Sequence, residues 1–371
     1  MAVYGKWGVV MIPVLYPATE RTFSNNGLGG LPNATSCTVT EKRNTPGGYY
    51  LEMDYPIDGL HYADIINERI IYASPAPHKV PQPFRIERIS RPINGIVHVE
   101  APHISAEMQK LVTYGVHRGT NVAGMCYNYL YQARQLGQYV PFWLTSDITP
   151  GSTVYLKHPQ PKSIMDVFLG TEGSFLDVVG GEYEFDGWHV ILHRQRGVDT
   201  GIEIRYGVNM SDIESETDSS KLVTAVVPYW AGDVNGTETV VIGDLCTSSN
   251  ASAFAYLRAA PLDVTSKFEG TKPPAKAQVT AAGQSFISST DLKNLNTSTR
   301  VKYDPITLGI GDRLIYLCDT VRVVHPDLQV SSTAKVVEVK YNVLTERYDE
   351  ITIGSIKLSI VDTIAKMIKK G

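Results

Sequence analysis

Cysteine is scarce in this chain of 371 residues: Cys37, Cys126, Cys246 and Cys318 lie far apart, with no CxxC pair. That spacing excludes a disulfide-rich scaffold and a Cys-based zinc site, leaving four reduced, buried thiols as the expectation. No run of roughly 18 or more apolar residues occurs, so no membrane-spanning helix is expected. A charge excess is missing too: 34 Lys and Arg against 38 Asp and Glu give a net charge of −4, with no block of like charges. A sequence-specific nucleic-acid binder normally carries a basic stripe, so that class is not expected. The opening MAVYGKWGVVMIPVLYP has a short apolar run but no charged n-region with a small-residue cleavage site. It reads as a first strand of a protein made in the cytoplasm.

Signatures of catalysis are equally sparse. There is no GxSxG, no P-loop and no GxGxxG leading into a helix. His189 and His193 stand four apart in WHVILH, but Val190 occupies the place of the HExxH glutamate. Val190 and Ile191 favour a strand, where i and i+4 lie about 13 Å apart, too far for one metal. His98 and His103 flank Glu100 without a third ligand, and GLGG at 27–30 reads as a turn in an Asn/Ser-rich loop. Catalytic, cofactor-binding and metal-ligating residues are therefore all expected to be none.

What the chain does have is 31 Gly, 21 Pro and 21 Tyr within a 43% hydrophobic composition, the mix of a protein built from strands and turns. Its length calls for two to four domains. ATSCTVTEKRNTPGGYYLEMDYPID reads as two strands joined at Thr45–Pro46–Gly47–Gly48. QPFRIERISRPINGIVHVEAPHI repeats the design around Asn94–Gly95, a type I′ signal. Its faces predict a sheet with one covered and one open side, as in a small antiparallel barrel or sandwich.

Helical patterns follow at 104–116 and at 121–137, the latter stopped by Gly137, with two short helices ending at Gly170 and at Gly180–Gly181. Strands resume at WHVILH, IEIRY and KLVTAVVPYWA, interrupted by a Pro-initiated helix at 273–289. Trp143, Trp188 and Trp230 fall in apolar segments and are expected in the core. The closing pair AKVVEVKYNVLTERYDEITIG precedes a terminal helix over 357–371.

One stretch invites a functional reading. RYGVNMSDIESETDSSKLVT places Asp212, Glu214, Glu216 and Asp218 at every second position. As a calcium loop it fails, because Thr217 stands where the sharp-turn glycine belongs and Val223 where the bidentate glutamate belongs. As a glycosidase pair it has too many candidates and nothing to split their pKa values. Period 2 instead makes the four acids one polar face of a strand, turned at Ser219–Ser220 into KLVTAVV as a hairpin.

Several pieces stand in a characteristic order: Ser174–Phe175–Leu176, Gly180–Gly181–Glu182, His193, Arg196–Gly197, Gly201, Arg205–Tyr206–Gly207 with Asn209, and Leu222–Val223–Thr224. Together with VVEVKYNVLTERYDEITIG and RPINGIVHVEAPHIS, they resemble the phage minor structural protein family, the tail-associated or prophage tail endopeptidase-like proteins of baseplate-hub type. The resemblance runs over almost the whole chain. It implies a mainly β, hub-like fold with two tail-tube-like antiparallel β-barrels carrying α/β inserts. The first barrel is expected at 1–103 and an α/β insert at 104–200. The second barrel is expected at 201–248 with 306–356, and a helix-containing part of the insert at 249–305.

The role implied is a homotrimeric tail-tip or baseplate hub, joining the tail tube to the tip and lining or closing the DNA exit channel. Implied partners are the distal tail or tail-tube protein, the tape-measure protein, receptor-binding or baseplate proteins, and passing phage DNA without sequence-specific contact. The implied location is the virion tail tip, assembled in the bacterial host cytoplasm. Lytic modules of related lysins follow the resembling part, and none is expected here, so peptidase activity is not carried over. Receptor or carbohydrate binding is the alternative, and peptidoglycan hydrolysis a third reading. Within the hub reading, Asp212, Glu214, Glu216 and Asp218 are expected to face the lumen.

Overall fold

The computed structural model describes residues 12–354, apart from 91, 93, 171–172, 206–209, 218–222, 235, 250, 254, 269–271, 290–296, 304–313 and 326–329. The terminal helix expected at 357–371 lies outside the described residues. The protein is mainly β, with few helices.

A ten-stranded sheet forms the centre. Its N-terminal part runs Ser36–Lys42, Tyr49–Pro56, Ile96–Pro102 and Arg88–Ile89, all antiparallel. The expected turn holds at 45–48, where the Gly48 N–H donates to the Thr45 carbonyl at 2.9 Å. Asn94 and Gly95 take φ of +53° and +78°, the signs that a type I′ turn requires. Tyr49, Leu51, Met53 and Tyr55 alternate inward from Tyr50, Glu52 and Asp54. The sheet thus has the covered side that the period predicted.

The C-terminal part of the same sheet contains Val330–Asn342 and Arg347–Gly354, the closing hairpin expected from the sequence. Thr297–Tyr303 and Met210–Thr217 extend it on one side. Thr320–His325 pairs with Val330–Asn342, and Asp199–Arg205 adds to it in parallel. The two parts meet at one seam, where Lys42 lies opposite Glu338 and Val39 opposite Tyr341. Strands expected in two barrels therefore share one sheet and one core, in which Leu51, Met53 and Val99 cluster with Val323, Val336 and Ile351. Among the described residues no closed barrel is found.

A second core lies between residues 104 and 193. Here α1 (Val122–Gln135) packs on the ladder of Val112–Gly119 with Val154–Ser163. Asn121 caps α1 by accepting from the Gly124 N–H at 2.9 Å, and Gly137 past its end has φ +80°. The two short helices are α2 (Ile164–Phe168) and α3 (Phe175–Val179), capped by Ser163 and Ser174. Trp143–Ser146, His189–His193 and Glu182–Asp186 form a three-stranded sheet.

The helix expected over 104–116 is only half present. Ile104–Lys110 is a 3-10 helix, and a strand starts at Val112. The β-branched and aromatic alternation of Val112, Tyr114 and Val116 suits a pleated edge better than a helix.

A third core joins Ala225–Val234, Thr237–Ile242, Cys246–Thr247 and Ala259–Asp263 to α4 (Lys276–Ser289). It buries Trp230, Cys246, Val279 and Ile287. All four cysteines are buried and unpaired, as their spacing suggested. Trp188 and Trp230 are core residues, but Trp143 corrects its expectation: it is 52% exposed and stacked on His189. Trp143 lies on an edge strand, and its outward face has no covering element among the described residues.

Where the second core joins the main sheet, residue 197 runs against residue 318. A Cβ on Gly197 would stand 2.0 Å from the Cys318 carbonyl oxygen, a contact with backbone that no rotamer relieves. Gly197→Ala is expected to cost about 3 kcal/mol of stability, through displaced backbone in a packed interior. Chemical denaturation measures it; a loss under about 0.5 kcal/mol overturns the close approach.

Candidate functional site

Asp212, Glu214 and Glu216 lie on the strand Met210–Thr217, as expected; Asp218 lies outside the described residues. The expected hairpin with residues 221–227 does not form. Met210–Thr217 pairs with Thr297–Tyr303, while Ala225–Val234 belongs to the separate sheet of the third core. The reason is that Val226 and Trp230 bury themselves against α4 residues such as Val279, which a hairpin with a charged strand would not allow. The register sets Asp212 opposite Lys302, Glu214 opposite Arg300 and Glu216 opposite Ser298.

The histidines singled out in the sequence are engaged individually. His189 bonds Thr145 Oγ1 at 2.8 Å, His193 bonds Glu184 at 2.8 Å, and His98 bonds Asp54 at 2.8 Å. No cluster of three metal-ligating side chains occurs among the described residues.

The densest polar constellation joins the main sheet to the second core. Arg196 follows the strand His189–His193 and donates to Glu41 Oε1 at 2.7 Å, with Glu184 Oε1 at 3.8 Å. Its backbone N–H donates to Glu182 Oε2 at 2.6 Å. Glu182 also takes Arg43 at 2.7 Å and Lys335 at 2.6 Å. Glu41, Arg43 and Lys335 come from the main sheet; Glu182, Glu184 and Arg196 come from the second unit. Burial pushes the Glu182 carboxyl upward, but Lys335 and Arg43 outweigh it and hold the group below the usual range. Glu184 is likewise pushed up by burial and brought lower by Arg196 and His193.

Two neutral bridges reinforce this join. Asn44 acts as a surrogate strand: its Nδ2 donates to the Gly181 carbonyl and its Oδ1 accepts from the Tyr183 N–H, each at 2.9 Å. Gln82 Nε2 donates to Asp186 Oδ1 and Gln82 Oε1 accepts from the Gly187 N–H, each at 2.8 Å. With its amide fixed this way, Gln82 Oε1 accepts the Nε2 proton of buried His103 at 3.3 Å. His103 Nδ1 then accepts from the Ser105 N–H at 3.2 Å. The imidazole is locked neutral, and burial lowers its pKa to about 3.

A cleft of about 470 Å³ opens beside these groups. Glu41, Glu184, Asp186 and Asp319 line it with Arg196, Lys79 and the rings of Tyr49, Phe185, Tyr316 and Tyr348. Sequence reading marked Arg196 and Glu182 only as parts of an ordered motif and passed over Glu41, Gln82 and Tyr348. The one available signal was a glutamate at an inward-facing end of the strand Ser36–Lys42.

Two measurements probe the join. Arg196→Met is expected to lose about 3–5 kcal/mol, because it strands Glu41 and Glu184 without their cation. Adding Glu41→Gln and Glu184→Gln should recover much of it; a single variant within 1 kcal/mol of the parent by denaturant titration removes the lock. His103 binds no proton when folded until about pH 3, whereas the unfolded chain binds one near its free pKa of about 6.5. Its contribution is complete above about pH 6.5 and drains away as pH falls toward 3. The melting temperature is expected to fall between pH 7 and 4.5, less steeply in His103→Gln; identical slopes in both proteins contradict this.

No family model matches the chain, and no curated protein matches its sequence. Its fold does have solved counterparts. Prophage tail protein gp18 from Listeria monocytogenes EGD-e aligns with a TM-score of 0.61 at 17% identity, covering 97% of this chain and 100% of that one. The 43 kDa tail protein of prophage MuSo2 from Shewanella oneidensis aligns at 0.60 and 10% identity, covering 95% and 99%. The tail protein from Neisseria meningitidis MC58 aligns at 0.58 and 8% identity, covering 96% and 99%. The chain therefore has the fold of prophage tail proteins, in agreement with the resemblance read from its sequence.

Proposed function

We propose that this protein is a structural component of a phage or prophage tail, the hub that joins the tail tube to the tip. The observation that supports this is the end-to-end correspondence with prophage tail proteins: 95% or more of this chain aligns with 99% or more of each of the three. In this reading three copies form a ring, and each contributes two tube-like barrels, at 1–103 and at 201–248 with 306–356. Three chains of two barrels continue a sixfold tube with pseudo-sixfold symmetry, the parts at 104–200 and 249–305 standing as inserts.

The function is mechanical and not enzymatic. Subunit contacts fix the ring, and its channel passes or retains DNA and the tape-measure protein. Asp212, Glu214, Glu216 and Asp218 face the lumen in this reading, where a negative wall lets DNA slide without the counterion release that grips it. The ring sits at the virion tail tip after assembly in the host cytoplasm, against tail-tube and baseplate or receptor-binding proteins. A receptor- or carbohydrate-binding module is the second reading, favoured by the exposed Trp143.

Light scattering is expected to give about 122 kDa, three times the 40.8 kDa chain, and purified particles are expected to contain the protein at the tail tip by immunogold microscopy. Absence from particles, with a monomer at every concentration, overturns the hub. Clearing in a cell-wall zymogram or retention on host cell walls would move the reading to hydrolase or receptor binder respectively.

A further inference from the structure

The cleft at the join is not used by a ring-building role, and its chemistry is one-sided. Four carboxylates line it against two cations. Arg196 is already engaged with Glu41 and Glu184. Asp186 and Asp319, by contrast, take only neutral donors: the Gln82 amide at 2.8 Å for the first, and the Val198 and Tyr316 N–H groups at 2.9 and 2.8 Å for the second. Their charges have no ion-pair partner among the described residues.

Aromatic rings form the remaining wall. One of them already demonstrates its affinity for a cation, because Lys79 Nζ stands 4.9 Å from the centre of the Tyr316 ring. The loop bearing Lys79 is tied down, with Tyr316 Oη donating to the Pro77 carbonyl and Ser74 Oγ to those of Ala76 and Lys79.

The independent pointer is Tyr348. It is only 7% exposed, it lines the cleft, and its hydroxyl has no hydrogen-bond partner among the described residues. A buried hydroxyl without a partner costs about 1–3 kcal/mol, so a fold that keeps one calls for an explanation. Phenylalanine would fill the same space without that cost.

We infer that this cleft receives the ammonium or guanidinium group of a lysine or arginine side chain presented by a segment of another protein. Such a group carries only donors, which the unpaired carboxylates of Asp186 and Asp319 and the orphan Tyr348 oxygen can accept. The volume of about 470 Å³ falls in the range of roughly 300–1,000 Å³ typical of small-ligand sites. That the donor is a neighbouring tail protein rests on the proposed tail role; the chemistry of the cleft does not.

Saturation-transfer NMR with the amides of Gly-Lys-Gly, Gly-Arg-Gly and Gly-Gln-Gly, with spermidine as a fourth probe, tests this on the full chain. The lysine or arginine peptide is expected to bind at least fivefold more tightly than the glutamine peptide. Asp186→Asn is expected to weaken that binding threefold or more. Tyr348→Phe is expected to weaken it while raising the melting temperature by one or more degrees, since it removes a stranded hydroxyl. Equal signals from all three peptides, or cationic binding untouched by both variants, overturns the site. A lower melting temperature in Tyr348→Phe shows that the hydroxyl serves the fold and also overturns it. Spermidine binding without peptide binding replaces the polypeptide donor with a free polyamine. A failed ring measurement leaves each of these outcomes unaffected.

Discussion

Everything else in the molecule hangs on one buried guanidinium. Arg196 lies between Glu41 of the main sheet and Glu184 of the second unit, and its own backbone reaches Glu182, which holds Arg43 and Lys335. Each half of the join brings charges that it cannot satisfy alone. Taking such ions out of water is costly, so a partly docked arrangement is worse than either a separated or a fully docked one. The consequence is geometric specificity: the two cores meet in one register, and the neutral Asn44 and Gln82 bridges confirm that register on either side. A large apolar interface would have held the units as firmly but tolerated sliding.

The same join shapes the cleft. Because the carboxylates nearest Arg196 are spoken for, the negative charge without an ion-pair partner among the described residues falls to Asp186 and Asp319 in the lining of the cleft. Position thus separates two kinds of acid: those paired with a cation and those that hold only neutral donors.

Local signals were legible in the sequence wherever a short-range rule governs them. The 45–48 and 94–95 turns, the glycine stops after α1 and α3, and the closing hairpin depend on a few adjacent residues. The second half of 104–116 was misread because Val112, Tyr114 and Val116 fit either period over so short a span. The partner of the acidic strand was illegible for a different reason. Met210–Thr217 pairs with residues some 80–90 positions away, and no local pattern encodes that choice; the alternative neighbour was claimed by the core around Trp230. The join escaped for the same reason, since Glu41 and Arg196 are separated by 155 positions and each alone reads as an ordinary surface charge. Family resemblance pointed to the tail-protein fold that periodicity could not reach, because an ordered series of weak motifs carries long-range information that single motifs lack.

The seam at the middle of the main sheet sets a clock for the protein's birth. Val39 pairs with Tyr341, so a strand made early must wait for one made about 300 residues later. At roughly 5–20 residues per second of synthesis the wait is about 15–60 s, and throughout it the strand Ser36–Lys42 presents an unpaired edge. An exposed edge is a template for unwanted pairing. The N-terminal strands therefore emerge as a half-finished sheet whose completion comes only with the strand Val330–Asn342.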